Sequence, residues 1–121
     1  MKKVEQYIVS AILLLALDVI YLGIFGNYFG TMVASIQRVA MKLNLLPAIL
    51  CYIFLIFGLN HFILDKNRSV LDAFLFGFII YGVFDLTNLA MFKKYKWEAA
   101  ILDMVWGGIL MATTTAIVKV L

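Results

Sequence analysis

Four long apolar runs, separated by short polar breaks, organise the chain. The runs cover residues 7–25, 47–64, 70–92 and 97–118, and each is close to the roughly 20 apolar residues that a helix needs to cross a bilayer. Short links between consecutive helices favour antiparallel neighbours. The pattern therefore predicts an all-α membrane protein: an antiparallel bundle of four transmembrane helices, forming a single integral membrane domain over residues 1–121.

A shorter element is predicted between the first two spans, at about residues 29–43. Apolar residues recur there at helical spacing, and polar residues fall between them. The apolar positions are Phe29, Val33, Ile36, Ala40 and Leu43, and the polar ones are Gln37, Arg38 and Lys42. This pattern is typical of an amphipathic helix that lies in the membrane interface, and a polar loop is the alternative.

The first run has a rival interpretation as a signal peptide. The apolar core of a signal peptide is about 7–15 residues long and carries no acid. Residues 7–25 are longer than that and contain Asp18. We therefore expect a retained membrane helix.

Composition agrees with a membrane setting. The chain is 65% hydrophobic and 14% charged, against about half and about a quarter in soluble globular proteins. The net charge of +3 comes from Lys and Arg in the breaks between apolar runs, which indicates contact with the membrane surface rather than nucleic acid. We expect the lipid bilayer as the main partner, a second copy or another membrane protein as further candidates, and no cofactor.

Basic residues do not decide the orientation in the membrane. We call the side on which the first span begins face A, and the opposite side face B. Face A holds Lys2, Lys3, Lys66, Arg68 and Lys119, and face B holds Arg38, Lys42, Lys93, Lys94 and Lys96. Five residues on each side give no bias for the positive-inside rule.

Three acids lie deep within the apolar runs. Helical rise places Asp18 about 17 Å, Asp85 about 22 Å and Asp103 about 21 Å from face A, in one layer of the bundle. A carboxyl group at such depth is costly unless it is paired, and none of the four spans contains Lys or Arg. Three solutions remain open: the acids are protonated and bond to each other, they hold a cation, or water fills the site.

Further polar side chains lie near this layer. Tyr81, Asp85 and Asn88 share one face of the third span, at i, i+4 and i+7. Oxygen ligands from Asp, Asn and Thr would favour a hard cation over zinc or copper, although they do not specify which metal. The predicted cluster, a candidate proton or cation site, consists of Asp18, Tyr21, Tyr81, Asp85, Thr87, Asn88, Asp103 and Trp106.

Several motifs carry a resemblance to a known family. They are Asp18 with Tyr21, Leu22 and Gly23; YGVFDLTNLAMF at 81–92; Trp97; and DMVWGG at 103–108. With these motifs the chain resembles the family of predicted membrane proteins called domain of unknown function 2177. Phe84, where relatives often carry Tyr, and the absence of proline after Trp97 are departures. The resemblance implies a four-helix integral membrane protein without an assigned activity, in a bacterial cell membrane or in the inner membrane of a large DNA virus.

Two functions compete on these residues. The first is a small transporter or channel subunit whose acids carry a proton or a hard cation. The second is a structural or assembly protein, such as a virion inner-membrane component, whose polar layer fixes helix packing. Asp85 and Asp103 could also form the dyad of an intramembrane protease, but Ala100-Ile101-Leu102 stands where the Gly-x-Gly signature is expected before Asp103. We therefore expect no enzyme.

Overall fold

The computed structural model describes residues 1–37 and 44–121, and these residues are almost entirely helical. Helix α1 covers Lys3–Gln37 and α2 covers Leu45–Leu59, continuing into one π-helical turn at Asn60–Leu64. Helices α3 and α4 cover Val70–Met91 and Trp97–Val120. Within the described ranges there is no strand, and the helical membrane fold is confirmed.

Four helices of the described residues are long and apolar enough to cross a membrane. Three of them match the predicted spans closely, whereas α1 is longer, at 35 residues. Large apolar side chains are exposed along the outer faces of all four helices, Phe54 on α2 at 73% and Ile24 on α1 at 67% among them. Exposure of this extent is expected where lipid covers the protein.

The predicted interfacial helix at about 29–43 differs in the structure. Residues 29–37 continue α1 without a break, and residues 38–43 lie outside the described part of the chain. The apolar positions after Phe25 follow the inward face of α1: Tyr21 lies against Phe29, with ring centroids 6.1 Å apart, and Met32 is buried. Since this stripe stays in register with the preceding span and no proline interrupts it, the helix continues.

The hairpin between α2 and α3 is short and well capped. Asn67 adopts a positive φ of 51°, which an asparagine tolerates better than most residues. The Ser69 hydroxyl oxygen then accepts a hydrogen bond from the backbone N–H of Asp72 at 3.0 Å, which is an N-cap for α3. This turn sets α2 and α3 antiparallel.

Glycines let α3 and α4 approach very closely. A Cβ atom at Gly77 would lie 2.0 Å from the backbone oxygen of Gly107, and a Cβ at Gly107 would lie 2.3 Å from the Tyr81 ring. A Cβ at Gly108 would likewise meet the Phe74 ring at 2.6 Å. Small residues of this kind allow close helix packing in membranes. The result is a tight α3–α4 pair that brings Asp85 and Asp103 to the same level.

Candidate functional site: the acid layer

Asp18 is held by side chains from two other helices. The Tyr52 hydroxyl of α2 donates a hydrogen bond to Asp18 Oδ2. The Trp106 indole N–H of α4 donates to Asp18 Oδ1 at 3.0 Å. Asp18 is buried, and both of its carboxyl oxygens have a donor. The residue therefore joins α1, α2 and α4.

Asp103 is held by α1. The Tyr21 hydroxyl donates to Asp103 Oδ1 at 3.0 Å. The Tyr21 ring stacks on Trp106, with centroids 4.7 Å apart and an interplanar angle of 2°. Because Trp106 also bonds to Asp18, the stack connects the two acids through aromatic side chains.

Asp85 is the most buried of the three acids, with no exposed surface. The Tyr95 hydroxyl, from the link between α3 and α4, donates to Asp85 Oδ1 at 2.7 Å. The Asp103 carboxyl group lies within hydrogen-bonding reach of Asp85. Asp85 Oδ2, however, accepts no hydrogen bond from an N–H or O–H group of the described residues. Two carboxyl groups therefore face each other with one buried oxygen still unpaired.

The remaining predicted residues take different positions. Asn88 lies beside the Tyr95 hydroxyl, and Tyr81 packs over Gly107 near Asp18 and Asp103. Thr87 is exposed and donates to the backbone oxygen of Val83 at 2.6 Å. Thr87 therefore lies outside the cluster, which we call the acid layer: Asp18, Tyr21, Tyr52, Asp85, Tyr95, Asp103 and Trp106.

The acid layer differs from a metal centre. Within residues 1–37 and 44–121, no group of three or more His, Cys, Asp and Glu side chains is arranged to hold a metal ion. The donors that reach the acids are phenol and indole groups instead. Such a network of carboxyl and hydroxyl groups can hold and pass protons.

A cavity of about 440 Å³ adjoins the acid layer. Asp18 and Asp103 form part of its wall, together with Tyr21, Tyr52 and Tyr81. The rest of the lining is mainly apolar: Leu22, Ala48, Cys51, Leu55, Ile80 and Phe84. All four helices contribute to this lining, and its polar part comes from the two acids and the tyrosines.

Two residues of the acid layer were missed from the sequence. Tyr52 lies in the middle of an apolar run without polar neighbours at helical spacing, so nothing marked its orientation. Tyr95 lies between lysines in the link 92–96, where the sequence does not mark it as a partner of Asp85. In the structure, burial raises the pKa of the Tyr95 phenol above its ordinary value, and its hydrogen bond to Asp85 raises that pKa further. The phenol therefore keeps its proton and remains a donor.

A second polar cluster, also missed, lies near face A. The Asn60 side-chain N–H₂ donates to Ser10 Oγ at 2.9 Å and to the backbone oxygen of Ile56 at 2.8 Å. Its Oδ1 accepts a hydrogen bond from Gln6 at 3.0 Å. Ser10 and Asn60 are fully buried. We call Gln6, Ser10 and Asn60 the amide cluster; it joins α1 to the π-helical turn.

The comparisons with known proteins agree with the fold. Residues 3–120 match the model of a family described as predicted membrane protein (DUF2177). No curated protein and no solved structure matches the chain.

Proposed function

The chain belongs to the DUF2177 family of predicted membrane proteins, and we propose that it is a small proton-coupled transport protein. In this proposal Asp85 and Asp103 bind and release a proton beside the cavity. The cavity beside the acid layer holds the transported molecule. The two parts meet at Asp103, which belongs to the carboxyl pair and also lines the cavity.

The carboxyl pair carries this proposal. Two carboxylates at hydrogen-bonding range repel each other strongly in a poorly solvated site, so that both do not stay ionised. Asp85 Oδ2 has no donor among the described residues, and a proton shared with Asp103 would supply one. A group that holds one proton in a buried site and can lose it to a bound cation has the chemistry of a coupling site.

The geometry favours a proton over a hard metal cation. Calcium takes six to eight oxygen ligands, and magnesium requires a near-octahedral set. Both oxygens of Asp18 already accept hydrogen bonds from Tyr52 and Trp106. Since these donors already occupy part of the lone-pair capacity of that carboxyl group, Asp18 offers a metal few free ligand positions, and the acids are better arranged for proton exchange.

The test is thermal unfolding of wild type and Asp85→Asn across a pH titration in lipid nanodiscs. If the folded pair holds a proton that the unfolded chain releases, the folded state binds more protons, so stability falls as pH rises from about 5 to about 9. The unfolding temperature of wild type should fall by a few degrees over this interval. Asp85→Asn should flatten the profile, because its amide does not titrate.

Controls separate the proton from other ions and from general effects of substitution. Thr87→Val removes a hydroxyl two positions along α3 from Asp85 and outside the acid layer, and should keep the wild-type pH profile. Sodium, magnesium and calcium titrations should shift wild type and Asp85→Asn equally. Parallel pH profiles of wild type and Asp85→Asn would contradict the proposal. So would a calcium- or magnesium-dependent rise in wild type alone.

A structural role is the second candidate, and the contacts of Asp18 favour it. Tyr52 and Trp106 bring one residue from each of two helices to the Asp18 carboxyl group, which is how polar side chains fix helix packing in membranes. In that case Asp85→Asn would leave the pH profile unchanged, while Tyr52→Phe and Trp106→Phe would each lower the unfolding temperature.

A further inference from the structure

The cavity beside the acid layer is lined by two kinds of side chain. Asp18 and Asp103 supply carboxyl groups, and Tyr21 and Tyr52, which donate hydrogen bonds to these acids, also belong to the lining. Leu55, Ile80 and Phe84 supply apolar surface. A ligand that fills the cavity must therefore combine a polar end with an apolar body.

The charge of the polar wall selects among such ligands. Among the described residues, those that line the cavity include two acids and no Lys, Arg or His. A neutral or anionic head group would leave both carboxyl groups without a counter-charge, and an anion would add repulsion. An ammonium group supplies a positive charge and three N–H donors. Charge complementarity thus points to a cationic head.

The rim of the cavity indicates where the ligand enters. Leu22, Ile80 and Phe84 line the cavity and are also exposed on the outer surface, Phe84 at 61%. These residues lie within the candidate membrane spans, so the exposed rim faces lipid. A molecule dissolved in the bilayer can therefore reach the cavity from the side, past Leu22 of α1 and Ile80 and Phe84 of α3.

We propose that this cavity binds a lipophilic amine, with its ammonium group between Asp18 and Asp103 and its apolar body against Leu55, Ile80 and Phe84. The volume of about 440 Å³ lies in the range of small-molecule sites, about 300–1,000 Å³. This inference names the cargo class of the proposed function and rests on it for one step: the ammonium replaces a proton. A protonated amine and a neutral carboxyl group become an ammonium–carboxylate pair, and one proton leaves.

The test compares two probes that differ at one functional group, 4-phenylbutylamine and 4-phenylbutanol. Binding is measured in nanodiscs by the fluorescence of Trp106, which lies beside Asp18 and Tyr21. The chain has two tryptophans, so a Trp97→Phe background leaves Trp106 as the reporter, and empty nanodiscs correct for partition into lipid. We expect the amine to bind at least about tenfold more tightly than the alcohol, an energy difference of roughly 1.4 kcal/mol.

Variants show which residues cause the preference for the amine over the alcohol. Replacing both Asp18 and Asp103 by Asn should reduce the preference for the amine to about onefold. Asp72→Asn removes an acid in the first turn of α3, near face A and outside the cavity lining, and should keep the preference. Ala48→Phe places a large ring in the cavity with the acids unchanged, and should abolish binding of both probes. Thermal unfolding of each variant shows that it is folded.

The outcomes also separate this inference from the proposed function. Equal affinities of amine and alcohol in wild type, or unchanged amine binding in folded Ala48→Phe, would overturn the amine site. If either result is found and the unfolding temperature of Asp85→Asn is nevertheless independent of pH, the proposed proton coupling stands and the transported molecule is not an amine. Conversely, amine binding that tightens with pH from about 6 to about 8, as expected when one proton is released per ligand, would support both. An amine affinity that does not change over this pH interval would support the amine site and contradict the exchange of the amine for a proton.

Discussion

The amide cluster and the acid layer are both buried and polar, but they are paired differently. In the amide cluster, Asn60 donates to Ser10 and Ile56 and accepts from Gln6, so its side chain is satisfied on both ends. In the acid layer, Asp85 lies within hydrogen-bonding reach of another acid, and its Oδ2 has no donor among the described residues. Neutral groups that are fully paired fix one arrangement, whereas ionisable groups with an unpaired oxygen can respond to a proton or a ligand.

Position in the fold reinforces this difference. The amide cluster joins α1 to the π-helical turn, among well-packed residues such as Leu14 and Leu59. The acid layer lies against a cavity of about 440 Å³. The fully paired amide cluster therefore lies where packing is tight, and the carboxyl pair with its unpaired oxygen lies beside a cavity.

The largest expected effect comes from removing the scaffold of the acid layer. Gly77→Ala would place a Cβ atom 2.0 Å from the backbone oxygen of Gly107, so α3 and α4 must separate. Overpacking against backbone should cost about 3 kcal/mol and should also weaken the Asp85–Asp103 pair. The measurement is thermal unfolding in nanodiscs. Gly23→Ala is the matched control, because its Cβ would meet nothing within 4 Å. An equal effect of both substitutions would contradict the close approach.

The next effect tests the amide cluster. Asn60→Ala removes three side-chain hydrogen bonds and leaves a void, which should cost about 2 kcal/mol. Because no partner in this cluster is ionisable near neutral pH, the loss should be the same at pH 5 and pH 9, in contrast to Asp85→Asn. The double change Asn60→Leu with Ser10→Ala removes both members of the Asn60–Ser10 hydrogen bond and nearly keeps the side-chain volume. It should therefore cost less than Asn60→Ala. A pH-dependent loss in Asn60→Ala would end the distinction between the two clusters.

A smaller effect is expected from Tyr95→Phe. The change removes the hydroxyl that donates to Asp85 at 2.7 Å and should cost about 1 kcal/mol. The raised pKa of Tyr95 in the folded state means that its contribution is present below the pKa of the unfolded phenol, about 10. That contribution is lost as pH rises through the folded value. In alkaline denaturation, wild type should therefore lose stability above pH 10 more steeply than Tyr95→Phe. The same dependence of stability on pH above 10 in both proteins would contradict this role of the Tyr95 hydroxyl.

The smallest effect concerns the exposed ion pair beside the amide cluster. Lys3 Nζ lies 3.4 Å from Asp65 Oδ2, and the lysine side chain is 70% exposed. Exposed pairs contribute at most about 0.5–1 kcal/mol and are screened by salt. Lys3→Ala should therefore change the unfolding temperature by about a degree or less, and the change should vanish at 1 M salt. A larger loss of stability that does not depend on salt would show that this ion pair acts together with the amide cluster.

The sequence predicted the helical membrane fold because length and apolarity are local properties of each run. It also singled out Asp18, Asp85 and Asp103, since an acid in an apolar run is conspicuous. The hydrogen-bond partners of these acids were harder to predict from the sequence. The helices are apolar on nearly all sides, so periodicity did not show which way Tyr52 points. Thr87 differs from Asp85 by two positions, enough to turn it to the outer surface, where its hydroxyl bonds to its own helix. The path of the link that brings Tyr95 back to Asp85 depends on tertiary packing.

The length of α1 has a mechanical consequence. Its 35 residues make a rod of about 52 Å, against a hydrocarbon core of about 30 Å. The rod is attached at three levels: Ser10 to the amide cluster, Asp18 and Tyr21 to the acid layer, and the Ser35 backbone oxygen to the Lys94 ammonium at 3.3 Å. Bilayers of different thickness change the tilt of such a helix. Since the same rod carries Asp18 and Tyr21, we expect the thickness of the host membrane to alter the geometry of the acids.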